Sequence, residues 1–258
     1  MPPEKPPPEK PPARQPDPPY GAPLLQLVGA EFRIRDNPEH QEAREQAKRA
    51  RDLPPERLGP IHMTLMENRR YGVRAANPVL WNTLVDALTG QGMRVQGQLI
   101  EPRPLRAQTD TRLWEMMRPN DTLQNWLKGP EAPLHVWLGQ RRRSIGVLVD
   151  QLGLGAQQSR TPIKLMGDVV RNRIWCLRFI VSQADLLIGR DIFALEDETI
   201  RAALHRRWED FPGTLLVGLP EGVGADIMKD LGRLDGLIDI LPDGAVKMRM
   251  RKEEQPGP

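Results

Sequence analysis

The stretch from Ile174 to Phe193 is the most apolar in the chain, and it constrains the fold more than any other. From Ile174 to Val181 aromatic and β-branched residues crowd together and only Arg178 is charged, which predicts a strand buried on both faces. Leu186 to Ile188 forms a second apolar run. Gly189-Arg190-Asp191 then reads as a turn, and Ile192 and Phe193 give the next element an apolar foot. A core has to assemble around these residues. The 258 residues suffice for one large domain or two small ones. The 27 prolines, 22 glycines and a hydrophobic fraction of 39% imply that part of this length lies outside any core.

The N-terminus is such a part. Residues 1–23 hold a doubled Pro-Pro-Glu-Lys-Pro, then Pro16-Asp17-Pro18-Pro19 and Pro23. With no apolar surface to bury and many locked φ angles, they predict an extended, disordered proline-rich tail. Such a tail suits a protein partner that recognises proline-rich segments.

Leu24 to Arg35 alternates as a strand, whereas 38–53 is helix-favouring, highly charged and almost without an apolar stripe. Pro54, Pro55 and Pro60 predict a break before the next folded unit. Asn77-Pro78 supplies a cap and a first-turn proline for a helix with Leu80, Trp81, Leu84, Val85 and Leu88 on one face. A strand over Met93–Glu101 follows, then short helices over Thr111–Met117 and Asp121–Lys128, each with a tryptophan. Further strands are expected at Leu134–Leu138 and Leu215–Leu219, and Ile145–Leu154 is apolar apart from Asp150. Helices are expected from Asp197 or Glu198, with Ile200, Ala203, Leu204 and Trp208 on one face, and over Ala225–Leu234. Leu237–Leu241, the turn Pro242-Asp243-Gly244 and Ala245–Met250 read as a hairpin.

The expected class is therefore α+β, with mixed helices and short, largely antiparallel strands, a C-terminal β-hairpin and the disordered tail. An N-terminal α+β region spans 24–130, a C-terminal one spans 131–252, and 253–258 is loose.

Most site chemistries lack their residues. No Gly-rich run ends in Lys and Ser/Thr, and Gly222-Val-Gly224 is the nearest approach to a phosphate loop. His40, His62, His135 and His205 are scattered and Cys176 stands alone, so no metal site and no cofactor is expected. No nucleophile motif is present, and no catalytic residue is assigned, although Asp150, Asp168, Asp185 and Asp191 could meet in space. A lone cysteine in apolar surroundings, no basic-then-apolar leader and no apolar run near about 18 residues point to an intracellular protein, in cytoplasm or nucleus, with no membrane span.

Two local resemblances accompany these absences. Thr161–Val181 followed by Ala184–Phe193, with Ile188-Gly189-Arg190-Asp191, resembles the second half of a retroelement aspartic protease. Where the family carries an Asp-Thr/Ser-Gly triplet, the corresponding stretch is Leu148-Val149-Asp150-Gln151-Leu152-Gly153, so the resemblance implies a catalytically silent module. Gly224–Arg249 is similar to the recognition helix and wing of winged-helix DNA-binding domains, which implies DNA contact through the helix and the basic wing.

Basic residues are the positive signal that remains. Arg141, Arg142, Arg143, Arg160, Lys164, Arg171, Arg173 and Arg178 fall within about forty positions, and Lys247, Arg249, Arg251 and Lys252 end the hairpin. Sharing one surface, they would bind phosphates. The sequence thus predicts a non-enzymatic, nucleic-acid-associated structural protein of viral or mobile-element origin, acting as a homo-oligomer. The alternative is a matrix- or adaptor-like assembly protein that binds other proteins through its proline-rich tail.

Overall fold

The computed structural model describes residues 22–34, 55–128, 141–219 and 234–251. Residues 1–21 of the expected tail, the charged helix 38–53, the strand 134–138, residues 225–233 of the helix expected over 225–234 and the last seven residues lie outside them, whereas Pro23, expected in the tail, opens a strand. Helices and strands are mixed in an α+β arrangement built on two sheets. The smaller is antiparallel, with β1 (Pro23–Arg33) between β2 (Arg57–Met66) and β4 (Arg94–Ile100). The larger contains β3 (Arg70–Ala75), β5 (Ala107–Thr109), β6 (Leu186–Gly189), β7 (Thr214–Gly218), β8 (Gly236–Ile240) and β9 (Val246–Met250). Their order is β5-β6-β7-β3-β8-β9.

Antiparallel pairing holds in the small sheet and in the C-terminal hairpin β8–β9, as expected. The other pairings of the large sheet are parallel: β5 with β6, β6 with β7, β7 with β3 and β3 with β8. Parallel neighbours need long crossovers, so these contacts join distant segments. The result bears on the region boundary near residue 130. β3, from its N-terminal side, is hydrogen-bonded between β7 and β8, from its C-terminal side.

The most apolar stretch adopts a structure other than the expected strand. Ile174–Val181 is the C-terminal half of a helix, Asp168–Val181. Every residue from Ile174 to Ile180 is buried, so the run shows no helical period, and a helix enclosed on all sides reads like a buried strand. Arg178 is buried there with its guanidinium 4.9 Å from the Trp126 ring centre and Nη1 donating to the Leu113 carbonyl at 3.5 Å. The strands implied by the protease resemblance over 161–181 are therefore replaced by helix. Pro60, expected to break the chain, lies inside β2, where an edge position tolerates its missing donor.

In chain order the described helices are α1 (Pro78–Leu88), α2 (Asp110–Glu115), α3 (Leu123–Lys128), α4 (Arg141–Gln151), α5 (Ala156–Arg160), α6 (Asp168–Val181) and α7 (Glu198–Asp210). Alternation along the parallel strands feeds two cores, one on each face of the large sheet. Leu186, Ile188, Leu216 and Ile238 pack with Leu25, Leu27 and Ile61 of the small sheet and with Leu80, Trp81 and Leu84 of α1. Leu187, Leu215 and Val217 pack with Leu177, Phe179 and Ile180 of α6 and with Ile200, Leu204 and Trp208 of α7. Each such side chain contributes about 1.5–3 kcal/mol on burial, so both layers are fastened mainly by apolar contact. Among the described residues, no helix is long and apolar enough to cross a membrane.

Candidate functional site

In an open α/β sheet, ligands bind outside the carboxyl ends of parallel strands, where successive connections leave toward opposite faces. That divergence occurs here. After β3 the chain enters α1, which packs in the core shared with the small sheet. After β6 it enters a short 3-10 turn, Asp191–Ala194, and α7, whose apolar side chains lie in the opposite core. After β7, Leu219 also lies in that opposite core.

The crevice between these connections is occupied by Arg190. Its backbone leaves the end of β6, and its stem passes the end of β7 so closely that a Cβ on Gly218 would stand 2.7 Å from the Arg190 Cγ. The guanidinium carbon reaches a point 5.9 Å from the centre of the Trp81 ring, in the first turns of α1. Nε donates to Asp191 Oδ1 at 2.8 Å. One arginine thus spans the ends of β6 and β7 and reaches the helix that follows β3.

Asp110 fixes the turn from which Arg190 projects. It opens α2 directly after β5 and is only 3% exposed. Its Oδ2 accepts the backbone N–H of Arg190 at 2.8 Å and of Ile192 at 3.1 Å, and its Oδ1 accepts that of Thr111 at 2.8 Å. Burial pushes the Asp110 pKa above the usual carboxylate range, and the three N–H donors pull it part of the way back. The Trp175 indole N–H donates to the Asp110 carbonyl at 2.7 Å, tying the turn to α6.

The β3–α1 junction has the strand-turn-helix form that serves phosphate binding when the turn is glycine-rich and the helix N-terminus is open. Here the run is Ala75-Ala76-Asn77-Pro78-Val79-Leu80-Trp81-Asn82. The positions of the two glycines, the lysine and the hydroxyl residue of a phosphate loop fall on Ala75, Leu80, Trp81 and Asn82. Asn77 Oδ1 accepts the Leu80 N–H at 2.9 Å, so the helix caps itself, and Pro78 removes a further donor. The junction therefore offers a phosphate neither a lysine nor a glycine-lined cradle. Beside it a groove of about 560 Å3 runs between α1 and α2, lined by Asn82, Asp86, Arg112 and Glu115 among others.

The basic residues singled out in the sequence are distributed differently. Arg141, Arg142 and Arg143 open α4, and their side chains lie outside the described ones. Arg160 and Lys164 are exposed. Arg171 pairs with Asp168, and Arg173 donates from Nε to Asp197 at 2.9 Å and from Nη1 to the Leu152 carbonyl at 3.2 Å. Lys247, Arg249 and Arg251 are exposed on and after β9, at the far edge of the large sheet, and Arg249 pairs with Asp239.

The carboxylates are spread as well. Partial burial would raise the Asp185 pKa, but Arg106 and Arg103 outweigh it and hold the group below the usual carboxylate range. Asp150 and Asp168 lie on α4 and α6, and Asp191 is held by Arg190. Cys176 is fully buried, and burial pushes its thiol pKa far up. Among the described residues no group of three His, Cys, Asp or Glu could hold a metal ion. The winged-helix recognition segment, residues 224–233, lies outside the described residues, while its wing is the hairpin at the sheet edge. Sequence reasoning missed the pairing of Asp110 with the 190–192 turn; the only local signal was the Thr109-Asp110 start of a helix. No known family model matches the chain, and no curated protein matches it.

Proposed function

We propose that the protein is a non-enzymatic structural subunit, one that acts by holding partners and not by turning over a substrate at its sheet edge. The observation that carries this reading is Arg190 lying across the crevice against Trp81, with the α1 terminus capped by Asn77. Among the described residues, a nucleotide there would have to displace a packed arginine stem and would meet no lysine and few available amides. Thermal unfolding of the full chain with millimolar ATP or GTP and Mg2+ tests this. The expected Tm is unchanged. Saturable stabilisation, which reaches about 2.7 kcal/mol at a hundredfold excess over Kd, would overturn the reading.

A second reading, nucleic-acid association, is favoured by the exposure of Arg160 and Lys164 near the helical layer and of Lys247 and Arg251 at the hairpin. Phosphate contacts through such residues lose affinity steeply as salt rises. Filter binding at low salt should then retain single- or double-stranded DNA or RNA, with retention falling when Arg160 and Lys164 are both changed to Glu. Absence of retention at the lowest salt removes this reading and leaves a protein-binding role.

A further inference from the structure

We infer that β4 is the contact through which two copies of this chain associate, strand against strand in antiparallel sense, so that two three-stranded sheets become one of six. Among the described residues β4 pairs only with β1. The opposite edge of the same sheet is covered: β2 lies against β9, and the Gly59 N–H donates to the Gly244 carbonyl at 2.9 Å. Among the described residues the outer edge of β4 has no such cover, and all of β4 except half-buried Leu99 is exposed.

Exposed edge strands are normally blunted by lysine, proline, inward charge or a bulge, because their open backbone groups template pairing with another chain. From Val95 to Ile100 β4 has no charge and no proline. Its irregularity, at Gly97 with φ +78, answers to β1: a Cβ there would stand 2.2 Å from the Gly29 carbonyl oxygen. Met93, Val95 and Ile100 leave apolar surface along this edge, with exposures of 62, 44 and 39%. A surface of this kind gains by pairing.

Charge selects the occupant. Arg94 stands at one end of the uncharged segment and exposed Glu101 at the other. An antiparallel second copy brings the Arg94 end of each strand to the Glu101 end of its mate, twice by symmetry. A parallel copy would set Arg94 beside Arg94. One strand makes a small contact, so the association should depend on concentration in the micromolar range.

Sedimentation equilibrium of the full chain from about 1 to 300 μM tests this. The expected result is a shift from the 29.2 kDa monomer toward twice that mass. Arg94→Glu should weaken the dimer roughly tenfold, and adding Glu101→Arg to it should restore association. Val95→Lys with Ile100→Lys should abolish it. A Tm equal to that of wild type at about 1 μM, where every chain is monomeric, shows that folding is intact in each variant. A wild-type chain that stays monomeric throughout, or a dimer indifferent to Arg94→Glu and to the lysine pair, overturns the inference.

Discussion

Replacing Asp110 by alanine is expected to destabilise the protein by about 3–5 kcal/mol, since the change leaves three backbone N–H groups without their acceptor. That of Ile192 is buried, where an unsatisfied group costs about 1–3 kcal/mol, and those of Thr111 and Arg190 are half-buried and cost less. Urea denaturation at fixed pH reads the loss directly. The pH dependence supplies a second check. Folding raises the Asp110 pKa, so the folded chain binds this proton more tightly than the unfolded one. Stability from the group is therefore complete below its unfolded pKa and is partly lost as pH rises through its folded pKa. The gap between wild type and Asp110→Ala should be widest in acid and narrower at neutral pH. A variant as stable as wild type at both pH values would show that the Arg190 turn holds itself without the carboxylate.

Local physics made several elements legible. Asn77-Pro78 fixes the start of α1, and the cap forms as its residues dictate. The spacing of Ile200, Ala203, Leu204 and Trp208 gives the buried face of α7, and Pro242-Asp243-Gly244 sits at the turn between β8 and β9. Where burial is complete, the same logic fails. The C-terminal half of α6 is enclosed and shows no period, and only Asp168 to Arg173 mark a side that meets solvent. Composition there favours a strand, and packing on both sides decides otherwise.

The candidate site was harder to read because it is made by pairing at long range. Asp110 and Arg190 lie eighty positions apart and meet through the parallel register of β5 with β6, which no local pattern encodes. Arginine adds a second difficulty. A guanidinium that binds an external phosphate and one that satisfies the chain's own carbonyls are the same residue in sequence. Arg173 and Arg178 stand among the basic residues of the 141–178 group in sequence, and both bind carbonyls within the helical layer.

Arg70 shows what that internal use is worth, and Arg70→Ala is expected to cost about 3–5 kcal/mol. From the start of β3 its Nε donates to the Trp208 carbonyl at 2.8 Å, Nη1 to that of Gly213 at 2.7 Å and Nη2 to that of Phe211 at 2.6 Å. These carbonyls end α7 and lead into β7, where the last turn of a helix leaves acceptors unpaired and favours a cation. Lysine keeps the charge but lacks the planar fork that reaches three acceptors at once, so Arg70→Lys should recover less than half of the loss. Methionine keeps most of the stem; if Arg70→Met matches Arg70→Ala, the loss belongs to the hydrogen bonds and not to packing. Urea midpoints of the three variants separate these contributions. A loss under about 1 kcal/mol for Arg70→Ala would mean that water serves those carbonyls as well as the guanidinium does.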